Sequence, residues 1–452
     1  MPRGPAAGNV NDFGAIEPCT RFCTPRPGST PGTAWPDATL RVSMQGPPAS
    51  VQTDAASSAL ATSGTPGDWD ALLSWLTVPR ENGTVALQET ADRLVAWLAS
   101  AGLEPATIVF TAHPHALRLG GLVALLGCLL YARCMRSARF AAALLVALAT
   151  PLVLYVDLDV GRPIFSALHA ERQVHVSTSI APSGEATQTL IFAAHYDTKT
   201  DWLDHAERAW VEAAAVPVTL WMIAAPLLAQ RRFRRLERAR VFGVAAAPFA
   251  AAGLGVLLFA TLTAGAFLPA RSPGALDDGA ACAAALRLAE RIAASPLEHT
   301  TLEVLLLSAE EVGTQGAREL ARQRYREPPA RPTALVNLEM LGAAAQLAYL
   351  ADERFAARRH PASPRLVALA DESHRALSAV PLERARGGVT DAREFLAREV
   401  PAVTLVSHLA GGASGRGLHS AADDRSRIDT AALDRQLEVL EDLARRIDRA
   451  GL

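Results

Sequence analysis

Two pairs of apolar runs, each pair closed by an arginine-rich turn, set the first limit on what this chain can fold into. Residues 119–132 (LGGLVALLGCLLYA) and 140–156 (FAAALLVALATPLVLYV) flank a turn holding Arg133, Arg136 and Arg139. Residues 213–229 (AAAVPVTLWMIAAPLLA) and 241–268 (VFGVAAAPFAAAGLGVLLFATLTAGAFL) flank a second, with Arg231, Arg232, Arg234, Arg235, Arg238 and Arg240. A spanning helix needs ~20 mostly apolar residues, with a lower limit of about 17. Buried core helices would explain the apolar runs but not the arginines. Clustered arginines at both turns point to two transmembrane hairpins with cytoplasmic turns. The first run is short, and Arg118 beside it is expected to snorkel. An integral membrane protein with its catalytic domain on the extracytoplasmic side is the expectation. The inverted topology is the alternative, because no export signal precedes the long N-terminal segment.

Composition agrees with a partner in lipid: 50% of residues are hydrophobic and mean hydropathy is +0.15. A net charge of −2 argues against nucleic acid as a partner. The five cysteines (Cys19, Cys23, Cys128, Cys134 and Cys282) are scattered, with no CxxC pair, and make no disulfide framework. Residues 1–67 are rich in Pro, Gly, Ser, Thr and Ala without periodicity and read as a disordered leader. Nothing in the sequence fixes the oligomeric state.

Outside the apolar runs the chain alternates strand and helix patterns. Strands are expected at 172–179, 188–194, 302–308, 334–338, 345–350 and 402–406, and helices at 279–294, 315–325, 364–378 and 430–447. Two further helical patterns precede them, the second with the stripe Leu87, Ala91, Leu94, Val95 and Leu98 and a stop at Gly102. This is an α/β pattern: a central, mostly parallel sheet sandwiched by helices, with two inserted transmembrane hairpins. One soluble domain is expected in three pieces, 68–118, 157–212 and 269–452, interrupted by hairpins at 119–156 and 213–268.

The reactive residue types stand where strands end. The strand in LIFAAHYDTKTD closes on His195 and Asp197, two residues that share a face. Asp277 and Asp278 follow a Ser-Pro-Gly turn and open an alanine-rich helix; acidic helix caps are ordinary, but two adjacent carboxylates also suit a divalent cation. LEVLLLSAEEVGTQG ends a buried strand on Glu310 and Glu311, a pair costly to desolvate unless partnered. Their side chains diverge, so one can hold metal while the other holds a proton. VNLEMLG supplies Glu339 and the Gly-rich GRGLHSAADDRSRID supplies His419. Nitrogen and oxygen ligands without cysteine suit zinc at a catalytic site. His113 and His115, around Pro114, read as a surface turn, and the other histidines as ordinary.

These stretches, with TDAREF, come in an order that resembles the co-catalytic zinc aminopeptidase and glutamate carboxypeptidase family, which includes the glutaminyl cyclases. The resemblance runs from about Asp68 to the C-terminus, the apolar runs excepted. It implies two zinc ions per chain: His195 and Glu339 on one, Glu311 and His419 on the other, and Asp277 bridging. It implies Glu310 as general base, Asp197 orienting His195, Asp278 supporting the bridge, and Asp391 near the substrate. Three departures stand out: Glu339 where aspartate is usual, Ala280-Ala281 after the aspartates, and Thr390-Asp391-Ala392 where a histidine ends the motif. The activity implied is a membrane-bound exopeptidase acting on peptides; a glutaminyl-cyclase-like acyltransferase and an inactive receptor on the same scaffold are the alternatives.

Overall fold

The structure is a computed structural model describing residues 69–232, 241–267, 271–344, 346–355, 358–408 and 415–452. The leader expected over 1–67, with Cys19 and Cys23, and the arginines from Arg234 to Arg240 lie outside the described residues.

The domain opens with α1 (Trp69–Leu76) and α2 (Val85–Ser100). In α2, Thr84 caps the N-terminus by accepting from the Leu87 N–H, and Leu87, Ala91, Leu94 and Leu98 are buried as a stripe at helical spacing. The main sheet carries β1 (Pro105–Ala112), β2 (Glu171–Ile180), β3 (Gln188–His195), β4 (Thr300–Leu307), β5 (Thr333–Glu339), β6 (Gln346–Leu350), β9 (Glu383–Ala385) and β10 (Ala402–His408), in the order β1-β2-β4-β3-β5-β10-β6-β9. β7 (Asp352–Phe355) and β8 (Arg358–Pro361) pair as a separate hairpin. The centre, β4-β3-β5-β10, is parallel. β1, β2 and β6 join antiparallel, so the sheet is mixed toward its edges. Side chains alternate across it as the pleat requires. Leu190, Phe192 and Ala194 enter the larger core, which also takes in α7 (Ala280–Ala294) and α11 (Thr430–Ala450), while Ile191 and Ala193 pack toward α8 (Gln315–Arg324) and α10 (Ala392–Leu396). α9 (Pro364–Ser378) joins the larger core through Leu366 and Ala370.

Among the described residues, four helices are long and apolar enough to cross a membrane: α3 (Ala116–Arg136), α4 (Phe140–Leu154, with its apolar span continuing to Asp159), α5 (His205–Arg232) and α6 (Val241–Phe267). The 21 residues of α3 give it a length of about 30 Å. Cys128, Tyr131, Ala143, Ala147, Met222, Ala225, Ala247 and Ala251 form a core inside this bundle, and Leu126, Leu145, Leu152, Leu220 and Phe249 stand exposed on its outside. An apolar exterior of this extent is what a lipid-facing bundle presents. α5 begins well before the apolar run, because His205–Glu212 is polar sequence that the helix absorbs. Arg118 does not simply snorkel: its guanidinium lies 3.3 Å from Glu81, tying the start of α3 to the loop after α1. The end of the same hairpin is tied by Asp159, 3.4 Å from buried Arg393, which in turn bonds Glu394 at 2.9 Å.

Candidate metal centre

The parallel strands β3, β4 and β5 run their C-terminal ends to one edge, with His195 in register with Leu307 and Ala193 with Asn337. That edge gathers reactive groups in parallel α/β sheets. Here it brings His195, the Glu310–Glu311 turn and Glu339 together. The turn before α7 adds Asp277, and the loop before α11 adds His419. Gly274 makes the first of these possible: its φ is +57°, and a Cβ there would stand 2.2 Å from Thr198 Cγ2 and 2.5 Å from the Asp277 carbonyl oxygen. Three non-glycine residues at the site also have left-handed φ: Ala309 (64°) before Glu310, Met340 (49°) after Glu339, and His419 itself (60°). Each costs about 1–3 kcal/mol that the surrounding packing must offset.

Two triads result, His195–Asp277–Glu339 and Asp277–Glu311–His419, each buried and each with ligand atoms within 4.8 Å of one another. Asp277 belongs to both. Its Oδ1 lies 3.1 Å from His195 Nε2 and its Oδ2 lies 3.1 Å from His419 Nε2. Glu339 Oε1 is 3.4 Å from His195 Nε2, and Glu311 Oε2 is 3.2 Å from His419 Nε2. His195 Nε2 and Glu311 Oε1 are nevertheless buried without hydrogen-bond partners. Buried polar atoms are normally satisfied, so converging donors that do not bond one another fit a cation between them. The set is oxygen and imidazole nitrogen only, which suits zinc. Burial works against a charged His195 ring, but Asp197, Asp277 and Glu339 outweigh it and raise its pKa well above the ordinary value. Burial is likewise outweighed at His419 by Glu311, Asp201 and Asp277. Surplus negative charge of this kind is what divalent cations neutralise.

Around the triads, other side chains hold the ligands. Asp197 is fully buried; its Oδ1 accepts from the Glu310 N–H at 3.2 Å, and its Oδ2 accepts from the Glu311 N–H at 3.0 Å and from Asn82 Nδ2 at 2.6 Å. The His195 ring bonds the Asp197 backbone carbonyl, 3.1 Å from Nδ1, while the carboxylate lies 3.5 Å away. Asp197 therefore orients His195 chiefly through its main chain, and its carboxylate holds the glutamate turn. Asp278 accepts from the His195 N–H (3.3 Å) and the Met340 N–H (3.0 Å), clamping two strand ends together. Glu310 is partly buried and belongs to neither triad. Burial, with Glu311, Glu339 and Asp391 adding to it against the pull of His195, pushes its carboxyl well above the usual carboxylate range. Asp391 is buried with both carboxylate oxygens unpartnered, and its pKa is raised well above normal by burial, with Asp197, Glu339 and Glu394 adding to the shift against His195.

Several supporting residues carry no motif signal. Asp201 Oδ2 sits 3.0 Å from His419 Nδ1 and 2.9 Å from both Lys199 and Arg208, so the chain's single lysine serves the carboxylate that orients the second histidine. Asp423 accepts from the Leu276 and Asp277 N–H groups at 3.1 and 3.2 Å, and burial beside Asp277 raises its pKa to about 6. Arg80, fully buried, donates to the carbonyls of Leu76, Val78, Tyr196, Pro273 and Gly274 and so staples α1 to the end of β3 and the Gly274 turn. His113 and His115 do form a surface turn, with the His115 ring stacked on His169 at 4.5 Å. His175 is a core histidine: stacked on Phe110 at 4.2 Å, it is driven by burial to a pKa of about 3 and stays neutral.

Residues 260–444 match the sequence pattern described as Peptidase family M28. The match covers that stretch of the chain and not the residues before it. That stretch contains Asp277, Glu310, Glu311, Glu339, Asp391 and His419, and His195 precedes it. No curated protein matches the chain significantly. Among solved structures, the aminopeptidase from Aneurinibacillus sp. strain AM-1 is similar at 16% identity, over 61% of this chain and 48% of that one, with a TM-score of 0.39. A leucine aminopeptidase precursor from Bacteroides thetaiotaomicron is similar at 11% identity (83% of this chain, 94% of that one, TM-score 0.48). The glutaminyl cyclase of Porphyromonas gingivalis is similar at 14% identity (83% and 97%, TM-score 0.49). This chain thus spans about half of the first and nearly all of the other two. At such identities and scores, the likeness says nothing about what this chain acts on.

Proposed function

We propose that this protein is a membrane-bound, two-zinc exopeptidase of the aminopeptidase type, in keeping with the family match over residues 260–444. One observation carries the reading: Asp277 offers one carboxylate oxygen to each of two buried His–Glu sets, with Glu310 beside them in neither set. His195, Asp277 and Glu339 would hold one zinc, and Asp277, Glu311 and His419 the other. Zinc bound there would supply a Lewis acid and lower the pKa of water. Glu310, beside both triads and a ligand in neither, accepts a proton from the attacking water and returns it to the leaving nitrogen. Asp197 keeps that turn in place through the Glu310 and Glu311 N–H groups. Asp391, buried and unpartnered, borders the substrate. The extra methylene of Glu339 relative to aspartate still reaches the first triad, at 3.4 Å from the histidine.

The four apolar helices support hairpins in the bilayer, and the arginines between them in the sequence are the ground for reading the turns as cytoplasmic and the catalytic domain as extracytoplasmic. Because the second hairpin is inserted between His195 and Asp277, the site lies close to the membrane surface, and peptides or tails of membrane-adjacent proteins are the substrates. A cyclising acyltransferase on the same scaffold is the second reading. Glu310→Gln is expected to keep its zinc and lose roughly a hundredfold or more in turnover of an aminoacyl anilide. Near-normal hydrolysis by that variant would remove Glu310 from the chemistry, and turnover of a glutaminyl peptide without anilide hydrolysis would favour the cyclase.

A further inference from the structure

A small cavity of about 30 Å³ adjoins the second triad, lined by Glu81, Asn82, Leu117, Arg118, Thr198–Asp201, Leu262, Glu311 and Val312 among others. Two of these residues come from the loop after α1, and each holds a buried oxygen that makes no hydrogen bond of ordinary geometry, although the Thr200 side chain also stabilises the Glu81 carboxylate. Glu81 is 6% exposed; its Oε2 faces Arg118 at 3.3 Å, and its Oε1 has no hydrogen-bond partner. Asn82 is also 6% exposed. Its orientation is settled by chemistry: the amide nitrogen must face the Asp197 carboxylate 2.6 Å away, since two oxygens cannot share that bond. Asn82 Oδ1 is thereby turned away from Asp197, and it too is unpartnered. Two unpartnered acceptors beside the second triad suit a ligand rich in N–H donors.

The charges around the cavity favour a cationic donor. Glu81, Asp201 and Glu311 are the anions; Arg118 and Lys199 are the cations, the first against Glu81 and the second held 2.9 Å from Asp201. Only Glu81 combines a charge with an open acceptor outside both triads. Leu117 and Arg118 belong to the first apolar hairpin and Leu262 to the second, so both hairpins contribute to the lining.

We propose that Glu81 and Asn82 recognise the free α-ammonium group of a peptide's first residue. Glu81 Oε1 and Asn82 Oδ1 accept its hydrogens; the cavity of about 30 Å³ takes the ammonium group itself and leaves the side chain outside it. This rests on the peptidase reading and makes it specifically an aminopeptidase. Glu81 and Asn82 touch the bound amine and set specificity; neither moves a proton in the reaction.

The test uses the full-length, zinc-loaded protein in detergent, as wild type, Glu81→Gln and Glu81→Asp. Binding of leucinamide is compared with that of 4-methylpentanamide, the same molecule without its amine, by calorimetry. Turnover of leucine anilide is measured beside it. Wild type is expected to prefer leucinamide by roughly tenfold or more, the worth of a hydrogen bond to a charged group. Glu81→Gln should erase most of that preference while zinc content and 4-methylpentanamide binding stay unchanged, and should raise KM for the anilide about tenfold with kcat within twofold. Glu81→Asp, which keeps the charge but withdraws it, should fall between. A preference that survives in Glu81→Gln, or a wild type that binds both amides equally, overturns the proposal. If the amine preference depends on Glu81 but nothing is hydrolysed, the recognition site stands and the peptidase reading falls; if the anilide is hydrolysed with no dependence on Glu81, the reverse holds.

Discussion

Asp201→Asn is the substitution whose consequence the geometry defines most narrowly. Asp201 lies outside both triads, yet its Oδ2 meets His419 Nδ1 at 3.0 Å, with Lys199 and Arg208 each at 2.9 Å. Those cations and His419 overcome the effect of burial and hold its carboxyl well below the usual range, so it is ionised at any working pH. Asparagine keeps the shape and one acceptor but removes the charge. A hydrogen bond to a charged group contributes about 1.5–3 kcal/mol and a neutral one about 0.5–1.5, so roughly 1–2 kcal/mol of support for His419 is lost. That corresponds to zinc binding weaker by about 5- to 30-fold, overlapping the range for groups that orient metal-binding histidines. Only one of the two sites should respond, because His195 takes its support from the Asp197 carbonyl instead. Competition titration with a chromophoric chelator resolves two zinc-binding steps; one should stay at its wild-type affinity and the other should weaken by that factor. Two unchanged steps, or two steps shifted equally, would refute the assignment of Asp201 to the His419 site.

Two further outcomes follow from groups away from the triads. Glu353 accepts from the Thr390 N–H and from the Thr390 and Thr404 hydroxyls, and burial raises its pKa from 4.5 to about 7. A carboxyl with a raised folded pKa favours the fold fully below about pH 4.5, and that contribution is lost as pH climbs to about 7; the loss is on the order of 3 kcal/mol. Glu353→Gln should therefore gain stability over wild type at pH 8 but not at pH 5 in denaturant titrations, and an equal difference at both pH values would contradict this. Ser137→Cys, in the turn between α3 and α4, should react with an impermeant maleimide only from the cytoplasmic side; labelling from the outside only would invert the topology.

The sequence made most of the candidate metal ligands legible because His195, Asp277, Glu311 and Glu339 stand at or just beyond the end of a strand or just before a helix, while His419 lies in a loop between β10 and α11. A run such as LIFAAH announces a buried strand, and the polar residue that stops it must be accounted for. The same logic placed β2 to β6 and β10, whose apolar character is strong. β1 escaped notice because it is an edge strand with Val109 exposed, and β7, β8 and β9 are too short to show a period. Polar helix turns such as His205–Glu212 are invisible to hydropathy, so α5 begins earlier than its apolar run. The supporting shell was hidden for a different reason. Arg80, Asp201 and Asp423 act by satisfying backbone groups or histidines far along the chain, with separations of 194 for Arg80 and Gly274 and 218 for Asp201 and His419. Nothing in VPRENG marks Arg80 as buried and five times bonded, and Glu81 and Asn82 beside it read as an ordinary loop.

The central claim is that one aspartate joins two cation sites. Zinc counted per chain by elemental analysis after gentle isolation, in wild type and in three variants, tests it most directly. Wild type should carry two zinc ions, His195→Ala and His419→Ala about one each, and Asp277→Ala close to none. A wild-type chain that retains no zinc, or an Asp277→Ala chain that retains two, would contradict it.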